Sequence, residues 1–215
     1  ISHWIFENLP QLTMYYKAIS RDKNCKLFIG ENLYDWQDLT LNLMGIKKSQ
    51  IFKIKKNYLS KVKSLYISRL PYVHSNRFMF QPEERKWVNK TMRNSLEKKY
   101  NCKKIAGKKL AISRKFCGRR RLINEDKALE ILKKAGYEII YPEKLYEIDK
   151  VIKCYESDTI LNFPSGSNVA NIIFSNRGRL IDILGKNKES FISIWFLVSR
   201  ELEMEYRVFL AKDIK

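Results

Sequence analysis

Short apolar segments alternate with helix-like segments through the second half of the sequence. Lys109–Arg114 predicts a strand, and a polar loop rich in arginine follows it. After Asn124, a residue type that favours the N-cap position, apolar residues recur at helical spacing as far as Gly136, a residue typical of helix ends. Glu138–Tyr141 predicts the next strand. A strand–helix–strand unit of this length is typical of a parallel crossover, which strongly restricts the fold.

The same alternation continues toward the end of the chain. The predicted elements are, in order, a helix over Tyr146–Ser157, a strand over Thr159–Phe163, a tight turn at Pro164–Ser167, a short helix over Asn168–Ser175 and a strand over Leu180–Leu184. Strands that alternate with helices indicate a doubly wound parallel sheet.

The first half shows a less regular form of this pattern. The predicted elements are a helix over Trp4–Ala18 kinked at Pro10, strands at Lys26–Ile29, Ile51–Ile54 and Ser64–Ile67, a helix over Asp35–Met44, and a loop with a basic, Trp87-containing helix within Arg77–Tyr100. We therefore expect an α/β protein throughout. Asn101–Lys108 is the predicted boundary between the two halves.

The chain carries a large excess of positive charge. Its 215 residues include 42 Lys and Arg against 23 Asp and Glu, a formal net charge of +19. Such an excess favours anionic partners, and charge alone does not choose between nucleic acid, phosphorylated small molecules and an acidic membrane surface. A genome biased toward lysine codons explains many of these residues equally well.

Membrane spans, disulfides and zinc are disfavoured by the same sequence. No segment approaches the ~20 apolar residues of a membrane helix, and no signal peptide is recognisable. The four cysteines lie far apart and neither histidine has a neighbour at ligand spacing, so we expect reduced thiols and no zinc site. Because the first residue is Ile1, we expect a mature fragment or an excised piece. We expect a cytoplasmic location, with peripheral contact at the inner face of the membrane left open.

Polar residues follow two of the predicted strands. Arg114 ends one strand, and the loop beyond it contains Arg121 in a run of three arginines. Gly166 lies in the turn after another strand, where a helix is predicted to open. Ligands of open α/β sheets bind beyond the carboxyl ends of the strands, and guanidinium groups and backbone N–H groups bind phosphate. Together these features predict a diphosphate site, although each alone also fits a solvated face or an ordinary turn.

Two further features carry side chains that are common in catalysis. His3 and Glu7 are four residues apart and would share one face of a helix. Such a pair can deprotonate an acceptor hydroxyl, and the alternative is a capping histidine with a solvated glutamate. Asp182 interrupts the apolar segment Leu180–Leu184, either as a strand-end carboxylate that reaches a ribose hydroxyl or as a residue that faces solvent.

Several of these motifs occur in a recognisable order. His3–Leu12 reads HWIFENLPQL, and Arg121–Glu125 reads RLINE. Further motif segments are Asp38–Ile46, Ile112–Arg114, Ala135–Glu143, Pro164–Asn171 and Arg200–Leu210. This ordered set resembles glycosyltransferase family 61, which includes many capsular-polysaccharide biosynthesis proteins, and the resemblance spans nearly the whole chain.

The chain retains part of that family's pattern and departs from part of it. The retained residues are Arg114, Arg121, Asn124, Glu125, Gly166 and Asn171. The replacements are Gln11 for Arg, Ser165 for His, Ser167 for Ala, Asn168 for Gly and Asp182 for Glu. If the missing His contacts the donor, activity is weakened or the donor is changed, and a degenerate, non-catalytic family member is an alternative.

The resemblance implies a GT-B-like arrangement of two Rossmann-like halves with parallel sheets. Residues 1–105 would form the acceptor-side half and residues 106–215 the half that binds the nucleotide-sugar. The implied reaction is inverting transfer of a hexosyl or pentosyl group from a nucleotide-sugar to a hydroxyl of a glycan or lipid-linked glycan, in surface or capsular polysaccharide synthesis.

Roles for individual residues follow from the same resemblance. Glu7 or His3 would act as the base. The implied donor-binding residues are Arg114, Arg121, Asn124, Glu125, Ser165, Gly166, Asn171 and Asp182. This fold class uses positive side chains in place of a divalent metal, and no D-x-D motif occurs, so we expect no metal and no other cofactor.

A basic nucleic-acid-binding module is the rival interpretation. The stretches Lys47–Lys63 and Lys86–Lys104 combine lysines with Tyr58, Trp87 and Tyr100, as single-strand binding requires. This interpretation explains the charge but not the ordered motifs, so nucleic acid is the less supported partner. Contact of the same lysines with an anionic membrane is compatible with a transferase that acts on a lipid-linked acceptor.

Overall fold

The structure is a computed structural model that describes residues 2–68, 72–74, 77–79, 82–118, 121–164, 166–175, 177–185 and 192–211. The chain divides into two compact units, His3–Ser95 and Leu96–Lys215. Each unit contains a parallel sheet, with two strands in the first and five in the second. The predicted α/β class with parallel sheets is therefore confirmed, and the GT-B-like arrangement of two halves stays a prediction.

The first unit begins with three consecutive helical segments of different type. Trp4–Asn8 forms a π-type turn, Leu9–Gln11 forms a 3₁₀ turn, and helix α1 covers Leu12–Arg21. Pro10 has no backbone N–H to donate to a regular helical ladder, and the irregular turns lie around it. The single kinked helix predicted over Trp4–Ala18 is therefore a chain of three shorter segments.

A two-stranded parallel sheet follows. Strand β1 (Leu27–Gly30) pairs with β2 (Ile51–Ile54), and helix α2 (Asp35–Leu43) connects them. Gly45 follows this helix with a φ of 84°, in the left-handed region that glycine adopts without strain. These strands and this helix were predicted within one residue at each end.

The third strand predicted for this half, over Ser64–Ile67, is wrong. Residues 55–68, all of which the structure describes, form no strand. Leu65 and Ile67 are 63% and 75% exposed, so their apolar side chains are not packed against a sheet. The local apolar pattern favours a strand, but no neighbouring strand pairs with the segment.

A short hairpin and a long helix complete this part of the chain. Strands β3 (Tyr72–His74) and β4 (Arg77–Met79) pair antiparallel. Strand β4 lies where a loop was predicted, and no element was predicted over β3. Helix α3 covers Pro82–Tyr100, as expected of the basic helix that contains Trp87. The Trp87 ring meets the edge of the Tyr16 ring, with centroids 5.6 Å apart.

The second unit contains a five-stranded sheet in which every neighbouring pair is parallel. The strands are β5 (Ile105–Ile112), β6 (Tyr137–Ile140), β7 (Ser157–Asn162), β8 (Gly178–Gly185) and β9 (Met204–Ala211). Their order across the sheet is β6–β5–β7–β8–β9. Strand β5 begins four residues before its predicted start, within the segment that was predicted as the boundary between halves.

Helices connect these parallel strands. Helix α4 covers Glu125–Lys134, α5 covers Glu147–Glu156, α6 covers Gly166–Val169 and α7 covers Ile192–Glu201. A 3₁₀ turn, Ala170–Phe174, continues from α6. Within the part of the chain that the structure describes, no helix is both long enough and apolar enough to cross a membrane.

The sheet is buried on both faces of its central strands. On one face, the core cluster consists of Ala111, Leu122, Leu129, Leu161 and Phe163, of which Leu129 belongs to α4. On the other face, the alternate residues Leu110, Ile112, Ile160 and Leu180 are at most 1% exposed. Burial of both faces is the expected state of a parallel sheet and explains why its strands read as continuous apolar segments.

Candidate functional site

The strand order of the second unit reverses at β5. The chain passes from β5 outward to β6, and then returns across β5 to form β7 on its other side. In open α/β sheets this reversal opens a crevice beyond the carboxyl ends of the two strands that flank it. Here those strands are β5 and β7, so the crevice lies where Ser113 and Phe163 leave the sheet.

Glu125 holds the chain at the carboxyl end of β5. Its Oε1 accepts a 2.6 Å hydrogen bond from the Ser113 hydroxyl and a 2.8 Å bond from the backbone N–H of Arg114. Glu125 is 3% exposed, and its Oε2 has no hydrogen-bond partner among the described residues. The family resemblance implies that Glu125 binds the sugar donor. In the structure, Glu125 contacts the loop that begins with Arg114 and fixes the backbone of that loop.

The loop between Arg114 and α4 is anchored at further points. Lys115 Nζ lies 2.6 Å from Asp126 Oδ1, and the Cys117 thiol donates a 2.6 Å hydrogen bond to Glu143. Burial raises the pKa of the Cys117 thiol to about 11. Cys117 is therefore a neutral thiol near pH 7 and not an activated nucleophile.

The arginines of this loop occupy different environments. Arg114 is half-buried at the end of β5, whereas Arg121 is exposed. Arg119 and Arg120 lie outside the described residues. Asn124 immediately precedes α4, but its side chain makes no capping hydrogen bond. The predicted helix start is therefore confirmed, and the predicted N-cap bond is absent.

The second predicted phosphate element follows β7. Gly166 is the first residue of α6, four residues after the end of β7. Asn171 is half-buried in the 3₁₀ turn that continues from it. Ser165 lies outside the described residues. Because α6 has only four residues, its macrodipole is small, and any attraction for phosphate here depends on individual backbone N–H groups.

A polar cluster inside the sheet surrounds Asp182. Asn162, the last residue of β7, is in register with Asp182 of β8, and its Nδ2 donates a 2.8 Å bond to Asp182 Oδ1. The Tyr206 hydroxyl of β9 donates a longer, 3.4 Å bond to Oδ2. Asp182 is fully buried, which contradicts the alternative that it faces solvent. It also lies in the interior of β8, although it is level with the carboxyl end of β7.

Burial changes the acidity of this cluster. It raises the pKa of the Asp182 carboxyl to about 7, even though the bonds from Asn162 and Tyr206 favour the ionised form. Burial, together with the neighbouring carboxylate, also raises the pKa of Tyr206 well above its ordinary value. Sequence reasoning missed Asn162 and Tyr206, and no motif singled out either residue.

The two residues predicted to act as or with the catalytic base, His3 and Glu7, lie in the first unit. His3 Nδ1 is 2.6 Å from Glu7 Oε1 across one turn of the π-type segment. The His3 side chain is 78% exposed and that of Glu7 is 25% exposed. His3 makes no side-chain capping bond, so the capping alternative is wrong. The backbone of Trp4–Asn8 thus brings the two predicted catalytic side chains into contact.

The first unit also contains a cavity of about 930 Å³. Its wall includes Trp4 and Asn8, which follow His3 and Glu7 in the chain. It also includes Gly30 at the carboxyl end of β1 and the segment Val62–Ser68. Trp4 is held in place by a 2.9 Å bond from its indole N–H to the Thr40 hydroxyl. The chain neighbours of His3 and Glu7 therefore form part of the cavity wall.

Comparison with known proteins identifies the family. No protein of known, curated function matches the chain. Residues 1–181 match the family described as Glycosyltransferase 61. The matched region is well over half of the 215 residues. The matched residues include His3 and Glu7, the Arg114 loop and the Gly166 turn. The chain therefore belongs to glycosyltransferase family 61.

Proposed function

We propose that this family member is an inverting glycosyltransferase. It transfers a hexosyl or pentosyl group from a nucleotide-sugar to a hydroxyl of a glycan or lipid-linked glycan, in surface or capsular polysaccharide synthesis. Family membership supports the transferase class. The contact of Glu125 with Ser113 and Arg114, beside the reversal of strand order, is the observation that carries the proposal.

In this proposal the second unit binds the nucleotide diphosphate. Arg114 leaves the sheet at the end of β5, with its backbone fixed by Glu125, and Arg121 is exposed on the same loop. Guanidinium groups bind phosphate oxygens through paired N–H donors. Two such cations would stabilise the charge that develops on the diphosphate as its bond to the sugar breaks.

His3 and Glu7 of the first unit would activate the acceptor hydroxyl. With its Nδ1–H donating to Glu7, the His3 ring presents Nε2 as a proton acceptor. The acceptor hydroxyl loses its proton to Nε2, and its oxygen forms a bond to the anomeric carbon. The bond from that carbon to the diphosphate breaks at the same time, and the diphosphate departs with the electron pair. Glu7 stabilises the imidazolium that results.

Binding of nucleoside diphosphates tests the donor half of this proposal. We expect a nucleoside diphosphate to raise the melting temperature, because a ligand that binds only the folded state stabilises it. Arg121→Ala should weaken this binding roughly tenfold to a hundredfold, the value of one charge-assisted contact of about 1.5–3 kcal/mol.

Lys133→Ala is the matched control, since it removes one exposed positive charge from α4 of the same unit. Equal small losses for the two variants would indicate diffuse electrostatic attraction and contradict a defined diphosphate site. If diphosphates bind but no nucleotide-sugar supports transfer or hydrolysis, the chain is a non-catalytic family member, with Ser165 in place of the usual His as the first candidate cause.

A further inference from the structure

The segment that replaces the predicted third strand of the first unit is exposed throughout. Every residue from 55 to 67 is exposed, and apart from one turn the segment has no regular structure. Its large apolar side chains include Leu59 at 103%, Leu65 at 63% and Ile67 at 75% exposure. Single exposed apolar residues are common, but several exposed within thirteen residues favour an interaction surface.

The same segment is strongly basic. Four lysines accompany the apolar residues, namely Lys55, Lys56, Lys61 and Lys63, and Lys53 of β2 lies just before them. No acidic residue occurs between Asp38 and Glu83, so the nearby sequence does not neutralise them. Tyr58 and Tyr66 are also exposed, at 69% and 49%. Lysine, tyrosine and aliphatic side chains therefore alternate along one exposed stretch of chain.

We propose that residues 53–67 dock the protein on an anionic lipid bilayer. The lysines would lie among the headgroups, where a negatively charged surface attracts them. Leu59, Leu65 and Ile67 would enter the boundary between headgroups and acyl chains, and the tyrosines would lie at the level of the headgroups. This docking does not rest on the proposed transfer reaction.

The aliphatic residues distinguish a lipid surface from a nucleic acid. Single strands are bound by cations and by aromatic rings that stack on bases, and exposed aliphatic side chains contribute little to either contact. A bilayer, in contrast, solvates leucine and isoleucine. The combination of lysine with exposed leucine and isoleucine favours lipid as the partner.

Helix α4 provides an internal comparison. It also exposes an apolar side chain, Ile131, at 67%, and it carries three lysines. Its exposed acidic residues, Asp126 and Glu130, offset two of those three lysines. The excess of positive charge beside exposed apolar surface is thus a property of residues 53–67 and not of α4.

Sedimentation with vesicles tests the proposal. We expect the protein to bind vesicles of phosphatidylcholine mixed with phosphatidylglycerol, and to bind pure phosphatidylcholine weakly. Lys61→Gln with Lys63→Gln should lower the partition coefficient roughly 25-fold, at about fivefold for each lysine near an anionic surface. Leu59→Ser with Leu65→Ser should lower it at least about tenfold while leaving the melting temperature unchanged, since both side chains are exposed.

Two α4 variants are the controls. Ile131→Ser, and Lys133→Gln with Lys134→Gln, should leave vesicle binding unchanged. If they reduce it as much as the segment variants do, attraction is diffuse and the proposal is overturned. Either of two further results also overturns it. One is that the wild type binds single-stranded DNA but not anionic vesicles, and the other is that the Leu59 and Leu65 changes leave vesicle binding intact.

Discussion

The side-chain amide of Asn162 donates a 2.8 Å hydrogen bond to the carboxylate of Asp182, and both residues are completely buried. This contact joins the end of β7 to the interior of β8. Because burial outweighs the two hydrogen bonds, the pKa of Asp182 lies near 7. A buried carboxyl with a raised pKa favours its neutral form, and this has a measurable consequence for stability.

Asp182 should make the folded protein less stable as the pH rises. The folded state holds the proton up to about pH 7, whereas the unfolded chain releases it near the ordinary value of about 4. The stability due to this group is complete below the lower value and is lost as the pH rises through the upper one. Between about pH 5 and about pH 8 the loss should reach roughly 3 kcal/mol.

Asp182→Asn isolates this effect, because the amide replaces the neutral carboxyl without a titratable proton. Denaturant unfolding of both proteins should show a difference in the free energy of unfolding that grows in favour of the variant between about pH 4 and about pH 7 and stays constant above that range. Parallel pH profiles for the two proteins would show that Asp182 is ionised in the folded state throughout.

Glu125→Ala should loosen the start of the Arg114 loop. The change removes the acceptor for the Ser113 hydroxyl and for the Arg114 N–H, so the free energy of unfolding should fall by roughly 2–4 kcal/mol. Affinity for nucleoside diphosphates should fall as well. Glu125→Gln keeps an acceptor oxygen and should restore much of both, while Glu130→Ala, at an exposed site of α4, should change neither. A normal affinity in Glu125→Ala would remove the positioning role.

Gly178→Ala should be strongly destabilising. Gly178 has a φ of 97°, and a Cβ at this position would lie 2.1 Å from the backbone oxygen of Asp158. That overlap involves backbone on both sides, so we expect a loss of roughly 3 kcal/mol or more in thermal unfolding. Gly107→Ala is the comparison, because its φ of 73° is strained but the space is open. A loss of about 1–2 kcal/mol is expected there, and similar losses at both sites would rule out the steric reason.

Glu7→Gln should lower the transfer rate about a hundredfold to ten-thousandfold, because His3 acts as the general base only when Glu7 orients its ring and stabilises the imidazolium. Binding of nucleoside diphosphates should not change, because both bonded partners lie in the first unit. His3→Ala should cost about as much, and the double variant little more, since groups that act as a unit are not additive. Asp35→Asn, which neutralises an exposed carboxylate of α2, is the control. Full activity in Glu7→Gln would remove the role of Glu7, and full activity in His3→Ala would place the base elsewhere.

The sequence predicted those strands and helices whose pattern is local. Strands β5 to β8 lie within a few residues of their predicted ranges, because their buried residues form recognisable apolar segments. Helix α7 and the edge strand β9, which has a single buried residue, were not predicted. Ser64–Ile67 has the same local pattern but no partner strand, so the prediction failed there. Strand pairing is a long-range property, and periodicity along the chain does not report it.

The sequence identified several candidate site residues, but it could not predict the contacts that depend on tertiary structure. Motif order identified Arg114 and Glu125, yet only the meeting of β5 with the start of α4 shows that Glu125 holds the backbone of Arg114. The Asn162–Asp182 contact depends on the register between β7 and β8, which neither strand reveals alone. The contact of His3 with Glu7 was predictable because it is local, four residues apart in the chain.

The place of β5 between β6 and β7 has a consequence for hydrogen exchange. Its backbone amides are bonded to neighbours on both sides, so they can exchange with solvent deuterium only when the sheet itself opens. The edge strands β6 and β9 can exchange through smaller local openings. Slow exchange should therefore concentrate in the interior strands β5, β7 and β8. Because β5 leads directly into Arg114, the candidate diphosphate loop is attached to the part of the second unit that opens least often.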